Sequence, residues 1–162
     1  MSGGTSLDEQ GLSTPGERGE ASGQHEPLVE WLPRRLAVLS FAAEKDHLAL
    51  ARMTAMHVAG LAGLPIGRVT DIRLAVDEAC SLFLSGSAAT APGAMLTVRF
   101  DRLPQHLRIS VSGPAPTRSP DAEDLGWLML CALVVRPRWE VRDGIGTLTM
   151  TEPLSLVAGA GR

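Results

Sequence analysis

The sequence predicts an α+β fold: a two-layer sandwich with a mixed, mostly antiparallel sheet and helices on one face. Three observations carry this. Val69, Ile72, Val76, Ala79, Cys80 and Phe83 recur at three- and four-residue steps, the period of a helix with one apolar face. A second stretch, Leu48, Ala51, Ala55, Val58, Ala59 and Ala62, repeats the pattern. The remaining apolar runs are short, and most are joined by connections too brief for a crossover helix. The predicted order is β-α-α-β-β-loop-α-β-β, in which hairpins outnumber crossovers.

In chain order, Leu36-Ala37-Val38-Leu39-Ser40-Phe41 reads as a strand opened after Pro33. A helix over 44–62 follows, ended by Gly63 and Pro65. The central helix spans 69 to about 84, with Thr70 as a cap and Asp71 at the positive end of its dipole. Glu78 and Leu82, four apart, share a different face from the apolar one. A loop runs from Ser85 to Gly93. Met95–Phe100 and Leu107–Val111 are strands joined through Asp101–Gln105. Gly113 to Asp124 is irregular. Leu125–Val135 returns to helix, with Leu125, Leu128, Met129, Ala132 and Leu133 or Val135 inward. Strands at 139–142 and 147–150 flank the turn Asp143–Gly146. The expected core is Leu36, Val38, Val58, Ile72, Val76, Ala79, Phe83, Ile109, Leu128, Leu133 and Leu148.

Composition narrows the function classes. The 162 residues suit one domain plus tails, and a hydrophobic content of 44% suits a packed core. The first 30 residues carry six acidic side chains, Asp8, Glu9, Glu17, Glu20, Glu26 and Glu30, against Arg18, a charge of −5 that leaves +2 for the rest of a chain at −3. Their six glycines and two prolines read as a disordered acidic tail. The folded domain is expected over 31–152, and a short tail over 153–162. A net negative charge argues against nucleic-acid binding. The absence of an eighteen-residue apolar run argues against a membrane span, and the start has no signal-peptide pattern. A cytoplasmic location is expected. Cys80 and Cys131 read as reduced core residues, and the four histidines show no metal-ligand spacing with them.

The run Leu74-Ala75-Val76-Asp77-Glu78-Ala79-Cys80 resembles the first conserved helix of the GHKL (Bergerat) ATPase fold, and more narrowly the RsbW-type anti-sigma factor and serine kinase family. The resemblance covers about residues 34–151. It implies a glutamate, here Glu78, as general base or water-positioner in an active enzyme. It also implies an asparagine four residues later to hold magnesium, where this chain has Leu82. A leucine side chain offers a metal no ligand. The adenine box of the family opens on an aspartate; here the run is Ser112-Gly113-Pro114-Ala115-Pro116, with Ser112 read at the aspartate position. The phosphate-binding glycines become Asp124-Leu125-Gly126-Trp127, with Asp124 a good N-cap that brings negative charge to a helix start meant for phosphate. Only Gly146-Thr147 matches the late Gly-Thr box. The cofactor expectation is therefore no ATP, or ATP weakly bound through Ser112, Gly113, Gly126, Gly146 and Thr147, without a magnesium site.

By the same resemblance, Arg52 of the first helix contacts a protein partner. The implied function is an anti-sigma factor that sequesters an alternative sigma factor of RNA polymerase. An anti-anti-sigma protein of the STAS type would release it, and a homodimer is expected. An active serine kinase of that antagonist is the first alternative, favoured by Glu78 and Gly146-Thr147. A scaffold domain with no sigma partner is the second.

Overall fold

The computed structural model describes residues 32–85 and 91–154; the predicted acidic tail and most of the predicted C-terminal tail lie outside them. The elements are β1 (Arg34–Ala42), a short 3-10 turn at Lys45–His47, α1 (Leu48–Leu61), α2 (Ile66–Leu84), β2 (Met95–Arg102), β3 (His106–Pro114), α3 (Leu125–Leu133), β4 (Val135–Arg142) and β5 (Ile145–Pro153). The five strands form one sheet in the order β1-β2-β3-β5-β4, and every neighbouring pair is antiparallel. The element order is the one the hydrophobic pattern predicts, and the sheet is wholly antiparallel.

Strand alternation sorts the sheet into two faces. Phe41, Leu96, Val98, Phe100, Ile109, Val111, Leu148 and Met150 are buried under the helices. On α1 the inward residues are small: Ala51, Ala55 and Ala59 are wholly buried, as are Ala75 and Ala79 of α2. Without long side chains between them, the two helix backbones pack closely. Ile72, Val76, Cys80 and Phe83 then fill the space between α2 and the sheet. The other sheet face carries Ser40, Thr97, Ser112, Thr147 and Glu140 side by side in one row, each paired in register with the next. Val38, Arg99, Ser110, Thr149 and Arg138 make the adjacent row.

Several local expectations change. Val38 is 49% exposed, because a bulge between Arg35 and Ala37 sets Ala37, Leu39 and Phe41 inward and Val38 outward. Leu36 and Leu133 are only partly buried. The central helix starts at Ile66, directly after Pro65, so Thr70 is internal and its hydroxyl donates to the Ile66 carbonyl rather than capping. In α3 the buried residue is Leu130; Leu125, Leu128 and Met129 are exposed, and so is Cys131, which is not a core thiol. The helix ends at Leu133 and β4 begins at Val135, four residues earlier than the pattern predicts. At the C-terminal end Leu154 is buried and its amide donates to the Gln105 carbonyl at 2.8 Å, so the folded part reaches past residue 152.

A charged clamp ties three elements at one end of the molecule. Arg68, in the first turn of α2, donates from Nε to Glu152 Oε1 at 2.7 Å and from Nη2 to Oε2 at 2.5 Å. It also donates to Asp71 at 2.6 Å and to the Leu133 carbonyl at the end of α3 at 2.9 Å. Glu152, on β5, is 3% exposed. The paired carboxylates raise the Arg68 pKa, the hydrogen bond to Glu152 contributing most.

Candidate functional site

The cleft of interest lies where the end of α2, the 114–124 loop and the start of α3 meet. A cavity of about 440 Å³ is lined there by Leu82, Ser85, Pro116, Thr117, Arg118, Pro120, Asp124, Leu125 and Gly126. Glu78 and Leu82, one turn apart on α2, both face the first turn of α3. A Cβ added at Gly126 would stand 3.3 Å from Leu82 Cδ2 and 3.4 Å from Glu78 Oε2. Gly126 therefore permits the close approach of α3 to α2, and it puts Glu78, Leu82 and the α3 start together.

Asp124 occupies the N-cap position of α3 with extended backbone angles, and its carbonyl accepts from the Leu128 amide at 2.9 Å. Its side chain does not cap the helix. The carboxylate turns back instead, accepting from the Asp121 amide at 2.9 Å and lying 3.6 Å from Arg118. Arg118 also pairs with Asp121, which accepts from the Glu123 amide. That pair pushes the Asp121 carboxyl below its usual range and raises the Arg118 guanidinium. The repulsive charge expected at Asp124 is thus met within the loop by Arg118, a residue with no place in the sequence reading. Its spacing, three residues from Asp121 and six from Asp124, was the available signal.

The remaining candidate residues separate. Gly113 and Gly146 are buried on the helix-facing side of the sheet. A Cβ at Gly113 would fall 2.5 Å from Leu96 Cδ2, and one at Gly146 would fall 2.6 Å from the Trp139 ring and 3.1 Å from Phe83. Both glycines are needed for packing. Trp139, inward on β4, rests against Phe83 with ring centroids 5.1 Å apart and its indole N–H buried without a partner among the described residues. Ser112 and Thr147, in contrast, pair with each other and with Thr97 and Glu140 on the opposite face of the sheet. The structure does not bring them to the cleft. The period of two decides this: if Gly113 faces the helices, Ser112 cannot.

Arg52 lies on the other flank of α2. It donates to Asp77 Oδ1 at 2.8 Å, and both side chains are about one-third exposed. Asp77 stands next to Glu78 in the α2 motif, and nothing in the sequence marks it as the partner of Arg52. Met56, one turn on from Arg52, is exposed, as are Leu50, Met53 and Leu61 elsewhere around α1. Among the described residues no group of three or more His, Cys, Asp or Glu could hold a metal ion, and no helix is long and apolar enough to cross a membrane.

A five-stranded antiparallel sheet under three helices, with this cleft between α2, the loop and α3, is an α+β sandwich of the GHKL ATPase type. The chain belongs to the histidine kinase-like ATPase domain family, which matches residues 41–151. Its fold is similar to the crystal structure of the RsbU and RsbW domains of Rv1364c from Mycobacterium tuberculosis, at a TM-score of 0.55 and 19% identity. That likeness covers 73% of this chain, and the chain spans 32% of the length of its neighbour. None of the curated proteins matches the chain.

Proposed function

We propose that this protein is an anti-sigma factor that acts by binding, with Mg-ATP bound weakly or not at all. The observation that carries the binding reading is the surface of α1. Arg52, paired with Asp77, stands at the position where the RsbW-type resemblance puts a partner contact, one helical turn before the exposed Met56, and α1 also exposes Leu50, Met53 and Leu61 around its outer side. An arginine beside an exposed apolar side chain is a composition enriched in protein-binding hot spots. The partner is an alternative sigma factor of RNA polymerase, and a STAS-type anti-anti-sigma protein competes for it. A homodimer follows from the same resemblance, and cytoplasmic location from the same function.

What supports weak nucleotide binding is the set of donors at the cleft. Leu82 stands beside Glu78 where a metal-binding side chain is needed, and it supplies no ligand. Ser112 and Thr147 sit across the sheet from the cleft, so neither reaches an adenine there. The start of α3 is occupied by an Asp124 already engaged with Arg118. On this reading these donors are a poor match for Mg-ATP. Glu78 would serve as base only in an active kinase, the second reading, which its position against the α3 start keeps in view.

The test is co-purification of the full chain with candidate sigma factors, followed by titration. Arg52→Glu should weaken the complex by about 2 kcal/mol or more, because a partner charge is left unpaired. The fold should survive, since a surface pair such as Arg52–Asp77 contributes at most about 1 kcal/mol. Unchanged affinity would remove the residue-level support for this reading.

A further inference from the structure

We propose that the open face of the sheet is the docking surface for the chain's own acidic leader, residues 1–31. The proposal is independent of the function proposed above.

On the helical side, Arg52 is held by Asp77, Arg68 by Glu152 and Asp71, and Arg118 by Asp121 and Asp124. On the open face, Asp101 is engaged by Arg35 at 3.2 Å and Glu140 by Arg142 at 3.2 Å. Arg99, Arg108 and Arg138 have no ion pair among the described residues, and neither does Arg136. A groove of about 500 Å³ on this face, over the ends of β3, β4 and β5, is lined by Arg108, Arg136 and Arg138 together with Thr149 and Thr151, and by no acidic residue among the described ones. Three arginines without an ion pair are thus gathered in this one groove; Arg34, Lys45, Arg73 and Arg102 also lack an ion pair among the described residues but do not line it. Isolated arginines there lack the anion that a planar guanidinium recognises through two parallel hydrogen bonds.

The occupant is indicated by charge and by tether. The leader carries the opposite charge, −5 over residues 1–30. It joins the fold at β1, an edge strand, whose first residue Arg34 pairs with Arg102. The groove opens at that same end, where His106 pairs with Pro153. From β1 to β4 is four strand spacings, roughly 19 Å. An extended chain spans up to about 3.5 Å per residue, so six residues reach across. Glu26 lies within that reach, and Glu20 and Glu17 can follow it. A tethered ligand acts at an effective concentration on the order of millimolar, which lets a modest electrostatic contact persist.

Amide spectra of the 15N-labelled full chain test this. The comparison is wild type against a leader-neutral variant, Glu17→Gln with Glu20→Gln, Glu26→Gln and Glu30→Gln. Expected are shift differences confined, outside the leader, to residues 97–112 and 135–151, and reproduced by Arg108→Gln with Arg138→Gln. They should be lost at 1 M salt, where the screening length is about 3 Å. Arg138 is exposed and Arg108 half-buried on the face away from the helices, so neither replacement reaches the core; should the double arginine variant not fold, the leader-neutral comparison decides alone. Differences absent from the open face, or centred on α1 or α3, overturn the proposal. So do open-face shifts that depend on protein concentration, which would assign the face to a second copy. Salt-sensitive binding of a single-stranded oligonucleotide that is equally strong with and without the leader carboxylates also overturns it.

Discussion

Replacing Arg68 by alanine strips a buried carboxylate of its partner. In the intact protein Glu152 is 3% exposed and takes two hydrogen bonds from one guanidinium, at 2.7 and 2.5 Å. Removing one partner of a buried ion pair costs about 3–5 kcal/mol, because the remaining charge is neither solvated nor paired. Arg68 itself is one-third exposed, so water entering the vacated space recovers part of that. The Leu133 carbonyl also loses its donor, at the junction where α3 turns into β4. We expect a loss of roughly 2–4 kcal/mol for Arg68→Ala, and for a domain of this size a fall in melting temperature of about 4 °C per kcal/mol. Urea unfolding followed by far-ultraviolet circular dichroism measures it. The paired apolar change, Arg68→Met with Glu152→Leu, should recover most of the stability, since it removes both charges together. If Arg68→Ala unfolds within about 0.5 kcal/mol of wild type, the clamp is a surface pair in energetic terms and this reasoning fails.

Other outcomes follow from the same geometry. Gly146→Val should cost about 1–3 kcal/mol by overpacking, because even a Cβ there meets the Trp139 ring at 2.6 Å; it should also change the tryptophan fluorescence, and an unperturbed spectrum would contradict the packing. Val76→Asp puts an unpaired charge at a wholly buried position and should lower stability by several kcal/mol in a thermal melt. Burial pushes the Cys80 thiol up to about 12, so at pH 8 it stays protonated and unreactive. The exposed Cys131 should alkylate first, and mass spectrometry should find one label in the native protein and two after denaturation. Leu82→Asn alone should not create tight Mg-ATP binding in isothermal titration, because Ser112 and Thr147 remain on the far face; a dissociation constant in the low micromolar range would reopen the kinase reading.

The sequence by itself determined the element order, the fold class and the helix that organises them. Two long segments with a 3.6-residue period and short strands separated by tight turns leave few alternatives, because each apolar face must be buried against another. It also placed Glu78 and Leu82 on one face of α2, since helical spacing is rigid. The tertiary structure decided what periodicity leaves open. Leu36-Ala37-Val38-Leu39 is apolar at every position, so the bulge, not the pattern, chose which residues face inward. The charge-free α3 has no polar face to orient it, and contact with α2 selected Leu130. The faces of Ser112 and Thr147 came from a pleat that runs through Gly113 and Gly146. The partners of Arg52, Arg68 and Glu152 lie 25 and 84 residues away in the chain, and only folding brings such distant charges within hydrogen-bonding range.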